Sequence, residues 1–230
     1  APQTPFSALA LADLAERAGI PAGVFNVVTG SAAEIGGELT GNPIVRKLSF
    51  TGSTDVGRLL MAQCAHDIKK LSLELGGKSA NIVLEDADLE KAARWNIQRC
   101  FFNAGQSCHA PSRMLVHESQ IDEVSNYLVD EVSKYKLGDP RDPATTMGPV
   151  VNKSQYDSIQ RYIQIGIDEG ARLACGGTGK PEGRNQGYFV KPTVFTHVTP
   201  EMTIAKEEIF GPVLAVIPYS SEEQALEIAN

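Results

Sequence analysis

The sequence predicts an α/β fold. Short β-branched and aromatic runs alternate with longer amphipathic stretches of helical period, and Gly and Pro mark most of the joins. A 230-residue chain that is 42% hydrophobic has enough apolar material for one sizeable core or two small ones.

The elements follow in order. Thr4-Pro5 reads as a helix start, with the hydroxyl capping free amides and the proline in the first turn; the helix runs to about Ala18 and Gly19 closes it. Val24 to Val28 reads as a buried strand ending at Thr29-Gly30, residues 32 to 40 as a helix, and Val45 to Phe50 as a second strand. Thr54 to Ala65 is the next helix and Lys70 to Leu75 the third strand. Such alternation implies a parallel sheet with helices on its faces. The pair Gly76-Gly77 breaks the pattern and marks a domain boundary, dividing 1–75 from 76–230. Beyond it come a strand at Ala80 to Leu84, a helix from Asp88 to about Phe102, a strand at Arg113 to His117 and a helix from Gln120 to Tyr135. A helix at Lys153 to Glu169 follows, then strands near Arg172, at Phe189 to Phe195 and at Val213 to Tyr219, and a last helix from Ser221. The Gly and Pro clusters at 138 to 149 and 176 to 187 are loops, and both chain ends read as cut.

Composition narrows the function. The net charge of -7 arises from mixed charges with no basic stripe, which argues against a nucleic-acid partner. No apolar run has the length to span a bilayer and the start lacks a leader pattern, so a cytoplasmic setting without membrane contact is expected. Cys64, Cys100, Cys108 and Cys175 show no paired spacing, and the four histidines are scattered, so free thiols and no metal site are expected.

Four segments carry candidate chemistry. Phe50-Thr51-Gly52-Ser53 closes a predicted strand and opens a predicted helix, where backbone amides at a positive helix end receive a phosphate. Gly57 follows, but the spacing matches neither a dinucleotide fingerprint nor a Walker loop, and taken alone such a turn is more often plain helix capping. Leu73-Glu74-Leu75-Gly76-Gly77-Lys78 sets a carboxylate in an apolar strand, where desolvation raises its pKa toward that of a general base. On residues alone, a solvent-facing Glu74 paired with Lys70 or Lys78 is the stronger reading. Asn103-Ala104-Gly105-Gln106-Ser107-Cys108 is a small polar loop that leads into a turn bearing a cysteine; a helix start there favours thiolate. The alternative, a buried inert thiol, fits Cys64, Cys100 and Cys175. His109 beside Cys108 raises a cysteine-hydrolase dyad, yet adjacent side chains diverge on regular structure. In Glu207-Glu208-Ile209-Phe210-Gly211-Pro212, carboxylates suit ribose hydroxyls and an aromatic suits a flat ring, although a solvated turn accounts for them as well.

Together and in this order the four segments resemble the aldehyde dehydrogenase superfamily, over essentially the whole chain. The resemblance implies a partial Rossmann-like cofactor domain at 1–75 followed by an α/β catalytic domain at 76–230, both incomplete. It implies Cys108 as nucleophile and Glu74 as general base, with Gly52 and Ser53 at the cofactor pyrophosphate and Glu208 and Phe210 at the nicotinamide ribose. The implied activity is oxidation of a small-molecule aldehyde to the acid with NAD or NADP, through a thiohemiacetal and a thioester on Cys108. The implied parent is a homo-oligomer, a dimer or tetramer, and this piece alone is expected to be a poor enzyme. Relatives that use NAD often carry a glutamate where Pro2 stands, so Pro2 points to use of both cofactors. The opening stretch Gln3 to Ala12 with Ala18 to Gly30 looks very like succinate-semialdehyde dehydrogenases, which hold an arginine where this chain has Phe102 and tend to have a second cysteine where it has Ala110. Phe102 lining an apolar tunnel favours aliphatic or aromatic aldehydes, with the semialdehyde as runner-up. A CoA-acylating member of the same fold is a further alternative that Glu74 argues against, as is a non-catalytic protein that keeps the fold.

Overall fold

A computed structural model describes residues 3–230, so Pro2 lies outside the described residues. The chain is α/β and forms two compact units that divide between Gly76 and Gly77, one residue beyond the predicted boundary.

The first unit contains α1 (Phe6–Arg17), α2 (Ala32–Gly41), β1 (Lys47–Thr51), α3 (Thr54–Cys64) and β2 (Lys70–Glu74). The N-cap residue of α1 is Pro5 and not Thr4. Its other end closes as predicted: Gly19 takes φ +84°, Gly19 N–H donates to Glu16 C=O and Ile20 N–H to Ala15 C=O. That pair of bonds satisfies carbonyls the helix leaves over, and the left-handed residue between them is where glycine costs least. Val24 to Val28 is irregular and not a strand, with Val24 70% and Val28 73% exposed. Its β-forming side chains are not matched by a ladder partner among the described residues, and without a ladder propensity alone does not make a strand. β1 and β2 pair in parallel, Lys47 opposite Lys70 through Thr51 opposite Glu74. Leu48, Leu60 and Cys64 form a small core with Phe50 and Leu71. The buried Lys69 amine is fully satisfied, donating to Asn42 C=O at 2.7 Å, Val45 C=O at 3.1 Å and the Asp67 carboxylate at 2.9 Å.

The second unit holds β3 (Ala80–Val83), α4 (Leu89–Cys100), β4 (Arg113–His117), α5 (Ile121–Ser133), α6 (Lys153–Asp168), β5 (Arg172–Cys175), β6 (Thr193–Thr196), α7 (Thr203–Lys206), β7 (Val213–Tyr219) and α8 (Glu222–Ala229). Its five-stranded sheet has the order β3-β4-β7-β6-β5. All neighbours are parallel except β5 and β6, so the expected wholly parallel sheet gains one antiparallel edge strand. β6 begins at Thr193 and not at Phe189, because Pro192 has no N–H to give the ladder; Thr193 N–H opens it by donating to Pro212 C=O. β7, central in the sheet, is a near-continuous apolar run buried on both faces, as parallel strands covered by helices require. The core gathers Ile97 and Phe101 from the α4 region, Leu128 of α5, Ile159 and Ile163 of α6, and Leu214 to Ile217 of β7. Each such side chain contributes roughly 1.5–3 kcal/mol on burial. Tyr219 is buried in it and donates its hydroxyl to Val83 C=O at 2.7 Å. Among the described residues no helix is long and apolar enough to cross a membrane.

Candidate active site

In the first unit, two of the sequence-identified segments meet at the carboxyl ends of parallel strands. Thr51 pairs with Glu74 in register, and Gly52 N–H donates to Glu74 C=O at 3.0 Å. Ligands of open α/β sheets gather at such strand ends. Ser53 caps α3, its Oγ accepting from Val56 N–H at 3.4 Å. A Cβ added at Gly52 would strike the far end of the Phe50 ring, so a side chain here requires that ring to move. Gly57 is buried on α3, where a Cβ would come within 2.7 Å of Leu75; its place is helix-to-strand packing and not phosphate contact. Along β2 burial alternates, Leu71 and Leu73 turned inward and Lys70, Ser72 and Glu74 exposed. The expected desolvation of Glu74 is therefore not met within its own unit: the strand's period of two places it on the face opposite the leucines.

The second unit holds Cys108. Its thiol is exposed, whereas Cys64 and Cys100 are buried and Cys175 is intermediate. Burial pushes the Cys100 thiol up to about 12, which suits an inert core cysteine. The expected turn at Cys108 is present, but no helix starts there to favour thiolate. The residues from 107 to 110 form a turn closed by Ala110 N–H donating to Ser107 C=O, and Pro111 leads into β4. What shapes the loop is a run of left-handed residues, Asn103 (φ +52°), Ala104 (φ +55°) and Gly105 (φ +74°). For Ala104, buried and without a side-chain acceptor, this is a strained conformation of the kind that clusters at functional sites. Asn103 Nδ2 donates to Gln106 C=O and Gln106 Nε2 to Asn103 C=O, while Gln106 Oε1 accepts from Val151 N–H at 2.9 Å. Behind the loop the buried Asn96 of α4 donates to Pro111 C=O and accepts from Asn81 of β3, so a helix and a strand both fix the chain just past the thiol.

The loop carrying Glu208 and Phe210 is built against this one. A Cβ on Gly105 would land on the Gly211 carbonyl and come within 2.6 Å of Pro212 N, so the two backbones touch with no room for a side chain. Gly211 in turn seats against Ile159 of α6, 2.5 Å from where its own Cβ would lie. Phe210, just before Gly211 in the chain, has φ +55° and is exposed. Gln155 of α6 holds it there, its Nε2 donating to Phe210 C=O at 2.9 Å and Ile209 C=O at 3.2 Å. Gly77 also borders the loop, a Cβ there lying 3.9 Å from Cys108 C=O. Glu208 is half-buried. Desolvation raises its carboxyl, opposed by the backbone N–H of Gly77 and the charge of Lys78. Its Oε1 is buried without a hydrogen-bond partner among the described residues. A buried carboxylate oxygen with a free lone pair is the donor chemistry a ribose hydroxyl needs.

Cys108, Glu208 and Phe210 thus share one region of the second unit; Gly52, Ser53 and Glu74 share one region of the first. Sequence reasoning missed Gln155, Asn96 and Lys78. Gln155 did leave a trace, since Asn152 caps α6 by accepting from Gln155 N–H, but that pattern says nothing of where the glutamine side chain goes.

Comparison with known proteins identifies the family. The family model described as "Aldehyde dehydrogenase family" matches residues 1–230. A putative aldehyde dehydrogenase of Staphylococcus haemolyticus is 48% identical over 99% of this chain, which spans 48% of that relative's length. Among solved structures, a variant of aldehyde dehydrogenase C from Pseudomonas syringae in complex with NAD+ and octanal superposes with a TM-score of 0.96 at 43% identity, over 98% of this chain and 47% of that one. An Escherichia coli NADP-dependent enzyme superposes with a TM-score of 0.94 at 47% identity, over 99% of this chain and 47% of that one. On its full-length family match, its α/β fold and the likeness of both units to those structures, this chain belongs to the aldehyde dehydrogenase family.

Proposed function

We propose that the whole protein oxidises an aldehyde to its carboxylic acid with NAD or NADP, with Cys108 as nucleophile and Glu74 as general base. The observation that carries this reading is the exposed Cys108 thiol on a strained loop whose backbone is locked against the Gly211-Pro212 backbone. Binding this close to built-in strain is what preorganisation of a nucleophile looks like.

The cofactor, when bound, accepts a hydride. This chain supplies the rest. Cys108 Sγ, as thiolate, adds to the carbonyl carbon and leaves an alkoxide that accepts from backbone N–H donors, that of Cys108 among them. Once the hydride has left the carbon, a thioester to Cys108 remains. Glu74 takes a proton from water, the water oxygen adds to the thioester carbon, the C–S bond breaks and the acid departs. An exposed Glu74 suits a residue that meets water. Gly52 and Ser53 offer small-residue amides at the start of α3 to a pyrophosphate, and Glu208 and Phe210 hold the nicotinamide riboside. The domain roles follow: residues 1–75 belong to the cofactor domain and 76–230 to the catalytic one.

Phe102 is 64% exposed and stands six residues before the thiol, which favours apolar aldehydes. The octanal bound by the Pseudomonas syringae relative accords with that choice. The test is a panel of aliphatic, aromatic and dicarboxylic semialdehydes given to the full-length protein with NAD or NADP, with and without CoA. Acid and reduced cofactor should form in equal amounts, best from apolar aldehydes and without CoA. Undiminished turnover in Cys108→Ser would refute the assignment.

A further inference from the structure

The amines of Lys69 and Lys78 are both buried, and they are treated differently. Lys69 donates to three acceptors, as a structural ammonium must. Lys78 Nζ is buried with no hydrogen-bond partner among the described residues. Its backbone is not loose: the Arg113 guanidinium donates to Lys78 C=O at 2.8 Å while also holding Ile228 C=O and Ala229 C=O at the end of α8. The backbone that carries this amine is therefore fixed by the surrounding chain. One residue away, Gly77 N–H faces the Glu208 carboxylate, whose Oε1 is the other buried orphan of this region. A buried cation and a buried anionic oxygen, close enough to act on each other yet not in contact, are unsatisfied together.

We propose that Lys78 is a positioning residue for Glu208, its ammonium holding the carboxylate ionised and aimed at the ribose hydroxyls of the nicotinamide cofactor. The proposal rests on the reading of Glu208 given above. The groups that face Lys78 are Glu208 and Glu207 before β7, Cys100 of α4 and Arg113 of β4. Burial most of all, joined by the Arg113 charge and opposed by Cys100, Glu208 and Glu207, leaves the Lys78 amine lowered to about 8. Above about pH 8 the amine is neutral and Glu208 loses its counter-charge. Cofactor binding then weakens as pH rises, although nothing in the cofactor's ribose titrates there.

Two measurements on the full-length protein test this. Calorimetric Kd values for NAD or NADP, whichever binds tighter, between pH 6.5 and 9.5 should rise about tenfold in the wild type, the scale of one charge partner lost. Lys78→Met should bind weakly at every pH, and Lys78→Arg, charged throughout, should bind tightly at every pH. A merely structural lysine gives three parallel profiles, which would overturn the proposal. Separately, with carbon-13 carboxylates in the cofactor-free protein, the Glu208 signal, assigned by its loss in Glu208→Gln, should shift near pH 8 in the wild type and not in Lys78→Arg. No such shift also overturns it. If that shift is present but Glu208→Gln binds cofactor as the wild type does, the Lys78–Glu208 coupling stands and the reading of Glu208 as a cofactor contact fails.

Discussion

Replacing Gly105 with Ala tests whether the loop bearing Cys108 and the loop bearing Phe210 are set by direct backbone contact. Two costs are expected. The first is conformational: an alanine at φ +74° occupies the left-handed region, which costs roughly 1–2 kcal/mol for a residue with a Cβ. The second is steric. The new Cβ would stand 2.6 Å from Pro212 N and closer still to the Gly211 carbonyl, where ordinary contact begins at 3.4 Å. Neither neighbour is the end of a flexible side chain, so the two backbones must part by close to an ångström, and overpacking of this kind costs typically about 1–3 kcal/mol. The sum is a loss of about 2–5 kcal/mol. Gly170→Ala is the control, because Gly170 has φ +90° and an added Cβ there meets nothing within 4 Å. It should lose only the conformational part. Urea unfolding of both variants, read by circular dichroism and extrapolated linearly, separates the two costs. Equal losses in the two variants would show that the loops are not in register through Gly105, and the account of the Cys108 loop would need rebuilding.

Other expectations follow from the same geometry. Iodoacetamide should label Cys108 first and leave Cys64 and Cys100 unmodified until the chain unfolds, as read by peptide mass spectrometry; prior labelling of Cys100 would contradict its burial. Lys78→Met should stabilise the protein at pH 7 by on the order of 3 kcal/mol, the equivalent of lowering an ordinary amine from 10.5 to about 8. The sign follows from proton counts: below about pH 8 both states hold the proton and the cost of burying the charge is complete. Between about 8 and 10.5 the folded state sheds it first, so rising pH relieves the cost. The wild type should therefore catch up with the variant as pH climbs to 10.5, and a variant less stable at pH 7 would contradict the buried ammonium.

Much of the fold was legible because local and global preferences agree. Asp88 capping α4 and the all-apolar β7 announce their elements from sequence alone. Where reading failed, the cause lies outside the segment. Val24 to Val28 has strand chemistry but no ladder, and β6 starts late because one proline lacks one proton to share. The Cys108 segment reads correctly as a loop leading into a turn, but its left-handed run is hidden: Asn103 and Gly105 tolerate such backbone, and Ala104 between them does not announce it. At the site, residue types were readable and their supports were not. Gly105 is visible as a glycine, but its reason is Gly211, far along the chain. Likewise Lys78 reads as a surface partner for Glu74, and only the structure reveals an amine buried near Glu208.

In the proposed mechanism a single sulfur carries the substrate and a separate carboxylate releases it. Glu74→Gln in the full-length protein isolates the two roles. On rapid mixing with aldehyde and cofactor, this variant should give a burst of reduced cofactor equal to the number of sites and then stall. Mass spectrometry should find the acyl group on the peptide containing Cys108. Steady turnover at the wild-type rate, or an acyl group on any other residue, would contradict the account.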